Sequence, residues 1–227
     1  MPDLAATVAE FKGRRRRLGA ETVKAWQSPS LEVIDATLEV WRAAWGTDRN
    51  VATAIWLALS CGLRLSEIAK VCHEHLTPTG IRMEPDAIQQ KSGALGLQVT
   101  AIEPYWSEGR AQIPPGHGAL LTGSDTERRD DVFRRISSLM TGCGWQTQKM
   151  AHALRALSGS WVAMRYGIYA AQLFLRHQSV TTTERHYSHL VRAAAALDPA
   201  SVPIRWATQT ADMQPHPNHT NKVCSNA

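Results

Sequence analysis

Residues 152–190 read HALRALSGSWVAMRYGIYAAQLFLRHQSVTTTERHYSHL. Leu154, Leu157, Trp161 and Met164 recur at steps of three and four, so Met150–Arg165 is predicted as a helix with one apolar stripe. Gly167 turns the chain, and Ala170–Leu175 leads to His177. The threonine run Thr181–Thr183 can cap a further helix that carries Tyr187. His152 and Arg155 stand three apart, which puts them on one helix face where both can meet one ligand. Arginine is a rigid fork that fits a phosphate with two hydrogen bonds. Histidine donates to an oxyanion or moves a proton near neutral pH. Tyrosine attacks only once its proton, with an ordinary pKa of about 10, has been taken. An arginine, two histidines and a tyrosine therefore suggest attack of a phenolic oxygen on a phosphate. Singly, His177 reads as a hydrogen-bonded structural histidine and Tyr187 as a half-buried packing residue; the set carries the reading.

Working upstream, Arg64 lies between two leucines in GLRLSEI, Gly62–Ile68. A charge flanked by core residues needs a partner. Alone it reads as paired to Glu67; with the downstream set it reads as a phosphate ligand. Three lysines fall between Arg64 and His152: Lys70, Lys91 and Lys149. Lys91 is the one in a KSG turn between strand-like runs, where a side chain can reach out to a ligand. A surface turn lysine is otherwise simply solvated.

Together these motifs resemble the tyrosine recombinases, the family of phage integrases and Xer-type recombinases. The resemblance covers roughly residues 35–195. It implies catalytic roles for Arg64, Lys91, His152, Arg155, His177 and Tyr187, the last as nucleophile. It also implies double-stranded DNA as partner, a homo-oligomer (a tetramer on paired sites), no cofactor, and a cytoplasmic, nucleoid-associated prokaryotic or phage-encoded protein. The implied reaction is cutting and rejoining of DNA through a 3′-phosphotyrosyl intermediate. A catalytically impaired DNA-binding relative and a type IB topoisomerase-like enzyme are the alternatives. The family usually carries a helical DNA-binding domain ahead of the catalytic one, whereas here about thirty residues precede the first predicted helix. Its usual L-G-H reads LRH, with Arg176 in the glycine position. Ten residues separate His177 from Tyr187, one more than the commonest family spacing.

The remaining chain agrees with a mainly α (α+β) fold, a helical catalytic domain with a small antiparallel sheet. Leu31, Ile34, Leu38, Trp41 and Trp45 form one stripe after Ser30, with the tryptophans read as core. Gly46-Thr47-Asp48 breaks that helix, and Asp48 or Asn50 caps the next. Its middle, Ala52–Leu59, is apolar nearly all round and so reads as buried. A helix is predicted from Ser66-Glu67 to about Cys72. Strands are predicted at Gly80–Met83, Ala87–Gln90 and Leu97–Ile102. A helix from Thr122–Asp125 buries Val132, Phe133, Ile136, Leu139 and Met140; Arg128, Arg129, Arg134 and Arg135 then form a solvated face or touch a DNA backbone. The domain reading is a basic segment over 1–30, a catalytic domain over 31–197, and a flexible polar tail over 198–227.

Of 227 residues 44% are hydrophobic and 20% charged, a globular composition, and no apolar run approaches the roughly 18 residues that span a bilayer. Net charge +5, with Arg14–Arg17 in the first segment, is compatible with a polyanionic partner. Cys61, Cys72, Cys143 and Cys224 show no C-x-x-C spacing, which speaks against a zinc ribbon or disulfide framework and fits a reducing compartment. His186 and His189 flank Tyr187, but no carboxylate or cysteine completes a zinc set there, and His216, His219 and Cys224 are weak ligand candidates. A Gly-rich phosphate loop is absent, so ATP use is not indicated.

Overall fold

Helix α2 (Arg49–Cys61) is the centre of the core: every residue from Val51 to Cys61 is buried. In this computed structural model, which describes residues 27–88, 96–147, 149–194 and 205–206, the other helices pack around it. Asp48 caps α2, its side chain accepting from the Val51 N–H at 3.2 Å. Gly62 ends it in the left-handed region with φ 56°. A Cβ at Gly62 would stand 2.7 Å from Cε1 of Phe174, so glycine is required there for space as well as for backbone angle.

Helix α1 (Leu31–Thr47) packs on α2, and of its predicted stripe Ile34, Leu38, Trp41 and Trp45 join the core while Leu31, in the first turn, is 74% exposed. Trp41 is fully buried, and its indole N–H donates to the Ala52 carbonyl at 3.1 Å. Helix α3 (Leu65–Ile68) is shorter than the expected run to Cys72. The Val71 carbonyl accepts from the Leu120 N–H and Cys72 bridges Ala119, so a long-range pairing draws the chain out of the helix.

Strands β1 (Leu76–Thr77), β2 (Gly80–Met83) and β3 (Leu97–Thr100) form an antiparallel sheet in that order, with Ile81 opposite Val99. The strand expected at Ala87–Gln90 is not present at Ala87 and Ile88. Pro85 there opens a turn closed by Ala87 N–H to the Glu84 carbonyl at 3.0 Å, a position proline favours; Gln89 and Gln90 lie outside the described residues. So does the Lys91 turn. The run expected to reach Ile102 divides, and β4 (Ile102–Glu103) pairs with β5 (Arg205–Trp206). That two-residue strand falls within the expected tail, whose remaining residues lie outside the described ones, as does the basic segment Arg14–Arg17.

Helix α4 (Tyr105–Arg110) has no counterpart in the sequence reading. It spans fewer than two turns and contains Gly109, too little for a periodic signal. Gly109 allows close approach to α2: a Cβ would lie 2.2 Å from Cδ1 of Trp56, which stacks on Trp106 at 4.8 Å. A reciprocal Ser124–Glu127 cap then precedes a π turn, Glu127–Asp131, and α5 (Val132–Gly142), which buries Val132, Ile136 and Met140. The arginines of this region are locally neutralised. Arg128 pairs with Asp125, Arg129 with Asp130, Arg134 with Asp131 and Arg135 with Asp48, which favours the solvated-face reading.

Helix α6 (Met150–Tyr166) packs on α2, α5, α7 (Ile168–Leu175) and α8 (Val180–Ala194). Helices α6, α7 and α8 and the turn from Gly62 to Arg64 hold the described residues among those singled out above. No helix among the described residues is long and apolar enough to cross a membrane.

Candidate active site

A cavity of about 670 Å³ opens between α6, the α7–α8 junction and the start of α1. His152, Arg155, His177 and Tyr187 all line it, together with His186. Four of the six predicted residues, from three separate segments, thus share one cavity. Arg64 is not on its wall; it stands close enough for its charge to act on His152, Arg155 and His177. Lys91 lies outside the described residues.

Arg155 faces the α2 side of α6 and is 2% exposed. Its Nη1 donates to the Gly62 carbonyl and its Nη2 to the Leu175 carbonyl. Both acceptors are helix-end carbonyls that lack intrahelical partners. The guanidinium thus ties α2 to α7, and of its five N–H groups two serve this tie. Burial, then repulsion from Arg176 and Arg64, lowers its pKa to about 9. It is still a cation at neutral pH.

Arg64 realises the structural pairing considered for it. Its Nη1 donates to Glu67 Oε1 at 2.7 Å, while its side chain keeps 27% exposure. Glu67 also accepts the Arg64 backbone N–H at 2.8 Å, capping α3.

His177 follows α7. Its Nδ1 is 2.8 Å from Thr183 Oγ1, and Thr183 is fully buried. The threonine run was expected to cap the Tyr187 helix; the helix starts at Val180, and Thr183 holds the histidine instead. Burial, then repulsion from Arg155 and Arg64, lowers the His177 pKa to about 4. His152 is drawn down by partial desolvation and next by Arg155. Both imidazoles are therefore neutral at pH 7 and able to take a proton.

A stability consequence follows. The folded pKa of His177 lies below the unfolded value of about 6.5. The unfolded chain therefore binds protons first, and stability falls as pH drops from about 6.5 towards about 4, being unaffected by this group above that window. Denaturant titrations at pH 7 and pH 5 are expected to show a smaller loss for His177→Gln than for the unaltered chain. An equal loss would remove His177 as a source of the acid sensitivity.

Tyr187 is 3% exposed. Its hydroxyl packs on α6, 3.0 Å from where a Cβ of Gly159 would stand; that Cβ would also lie 2.5 Å from Leu175 Cδ1. Gly159 is thus the notch that seats both α7 and the Tyr187 ring. Burial pushes the Tyr187 phenol up, and the Arg155 charge offsets part of this. His186, one residue earlier on α8, lines the cavity, and its pKa is lowered by burial. The sequence reading treated it only as a flanking histidine.

Arg176 had been noted only for replacing a glycine. It occupies the left-handed region with φ 53°, the conformation that glycine adopts at no cost. Its side chain reaches Glu67 at 2.9 Å across 109 residues of sequence.

No family model and no curated protein sequence matches the chain. Solved structures do. The chain is similar to XerA recombinase at 19% identity and TM-score 0.53, over 78% of this chain and 64% of that one. It is similar to the catalytic domain of bacteriophage HP1 integrase at 17% identity and TM-score 0.51, over 79% of this chain and 98% of that one. A lambda integrase dimer bound to a COC′ core site matches at 17% identity and TM-score 0.52, over 74% of this chain and 60% of that one. The chain thus spans under two thirds of the XerA and lambda chains and nearly all of the HP1 catalytic domain. The fold is that of the tyrosine-recombinase catalytic domain, mainly α with a small antiparallel sheet.

Proposed function

We propose that this chain cuts and rejoins double-stranded DNA, with Tyr187 as nucleophile. The observation that carries the reading is the cavity that Arg155, His152, His177 and Tyr187 all line, with the Arg64 charge close enough to act on Arg155. The Tyr187 oxygen would form an ester with a backbone phosphorus while the bond to the 5′-oxygen breaks. His152 takes the phenolic proton, and Lys91 gives a proton to the leaving 5′-oxygen. A 5′-hydroxyl from another strand then reverses the step. Ester bonds are conserved, so no nucleotide energy is consumed. Charge gathers on the non-bridging oxygens, where fixed cationic donors are most effective. Arg64 and Arg155 supply that role. Tyr187 lines the cavity with its hydroxyl packed over Gly159. DNA binding through paired protomers, as in the DNA-bound lambda integrase dimer, belongs to the same proposal.

The buried tyrosine also favours a second reading, a DNA-binding relative that does not cut. Nicked duplexes tiled from DNA flanking the gene separate the two. Incubation followed by denaturing electrophoresis is expected to give a denaturant-stable band, and mass spectrometry of its digest a nucleotide-modified peptide containing Tyr187. DNA binding with no such band on any duplex would leave the non-cutting reading.

A further inference from the structure

Arg176 is the one non-glycine residue with positive φ among the described residues. That backbone is unfavourable for an L-residue with a Cβ. The side chain supplies the compensation. Nη1 donates to the Phe174 carbonyl at 2.9 Å and is 3.5 Å from the Cys61 carbonyl. Nη2 donates to the Gly62 carbonyl at 3.2 Å and to Glu67 Oε2 at 2.9 Å. The side chain is 10% exposed, so these bonds form largely out of water.

Glu67 is the acceptor on which two cations meet. Oε1 takes Arg64 Nη1; Oε2 takes the Arg64 backbone N–H and Arg176 Nη2. Among the described residues it is the only carboxylate that pairs with Arg64 or Arg176, and no carboxylate pairs with Arg155. A lone Arg64–Glu67 pair would be formally neutral. Adding Arg176 leaves two guanidinium charges on one carboxylate, with the Arg155 charge beside them. Burial pushes the Glu67 carboxyl up, but Arg176 foremost, then the bonds and charge of Arg64, hold it below the usual range. Glu67 therefore stays ionised, and it is shared.

We infer that Arg176 is a positioning residue for an oxyanion site: it takes a share of Glu67 through the 2.9 Å contact and so leaves Arg64 with positive charge to present to a phosphate ester. The inference rests on the cavity being a phosphodiester site. It adds a third arginine, one that contacts neither the reacting phosphate nor the nucleophile. The departure from glycine at this position is then a gain in local charge, with backbone strain as its cost.

Inorganic phosphate is the probe, with thermal unfolding followed at matched ionic strength in chloride so that screening is constant. The unaltered chain is expected to show a saturable rise in Tm with phosphate. Arg176→Gly is expected to weaken the apparent phosphate affinity about tenfold. Adding Glu67→Gln to it is expected to return the affinity to within about threefold of the starting value, because the competing carboxylate charge is gone. A purely structural Arg176 would change the starting Tm and leave the phosphate dependence alone. Should Arg176→Gly not fold, Glu67→Gln alone is expected to tighten phosphate several-fold, with Arg176→Lys staying within about threefold of the unaltered chain. No saturable phosphate response, unchanged affinity in Arg176→Gly, or no recovery in the double variant overturns the inference, as does failure of Glu67→Gln to tighten phosphate. A normal phosphate pattern without any DNA adduct would instead count against the cutting reaction alone.

Discussion

Tyr187→Phe is expected to abolish the denaturant-stable DNA adduct altogether while changing stability by no more than about 1 kcal/mol. The adduct is a phenolic ester, and without the phenolic oxygen there is no bond to trap. A phosphohistidine at His152, His177 or His186 would be acid-labile, and an ester on Ser28, Ser30, Thr147 or Thr182, whose hydroxyls belong to the cavity lining, would persist in Tyr187→Phe. The small stability change follows from the packing. The Tyr187 ring fills the notch over Gly159, and phenylalanine keeps that ring and its buried area. Removing one hydroxyl costs about 0.5–1.5 kcal/mol where it is hydrogen-bonded and less where it is not. The comparison needs equal unfolding midpoints for the two proteins and one nicked duplex. An adduct that persists in Tyr187→Phe would move the nucleophile elsewhere.

Arg155→Ala carries the second large effect, and here two energies oppose each other. The Leu175 carbonyl loses its donor, at about 1–3 kcal/mol for a buried group, and the Gly62 carbonyl is left with the Arg176 donor alone, at about 0.5–1.5 kcal/mol. Against this, a buried cation close to Arg64 and Arg176 is removed. Burial first, and then those two charges, lower its pKa to about 9, so its removal returns a few kcal/mol. The net expected loss is about 1–3 kcal/mol, some 2–12 °C in Tm for a domain of this size. Adduct formation should fall much further, by about 100-fold or more, as for other preorganised oxyanion donors. Arg155→Lys keeps the charge but cannot fork to both carbonyls, and is expected to lose stability with a smaller loss of adduct. The readouts are the unfolding midpoint and the single-turnover adduct rate. A variant that loses stability alone, with adduct formation intact, would make Arg155 a structural tie only.

The candidate site residues and their order were legible because each sits in a short local signal. GLRLSEI, HALR, LRH and RHY are contiguous, the stripes of α1, α5 and α6 have the helical period, and the middle of α2 is apolar nearly all round. The Arg64–Glu67 pair was visible for the same reason, being three residues apart on one turn. Helix α4 escaped because six residues with a glycine give no period, and the strand at Ala87 failed because Pro85 makes a turn there. Thr183 was read as a cap from its place in a threonine run, and only the α7–α8 angle turned it onto His177.

The amino-acid sequence by itself determined the inward stripes of α1, α5 and α6, the all-round burial of α2, and that an arginine, two histidines and a tyrosine follow GLRLSEI in order. These depend on periodicity, capping and backbone freedom, which act within a few residues. Tertiary structure alone decided what each reactive group does with its bonds. Arg155 donates to carbonyls 93 and 20 residues away, and Arg176 shares Glu67 with Arg64 across 109. Tyr187 rests its hydroxyl over Gly159 because that glycine leaves room on α6. Such pairings depend on how helices cross and on which charges lose their water together, and no local pattern encodes either.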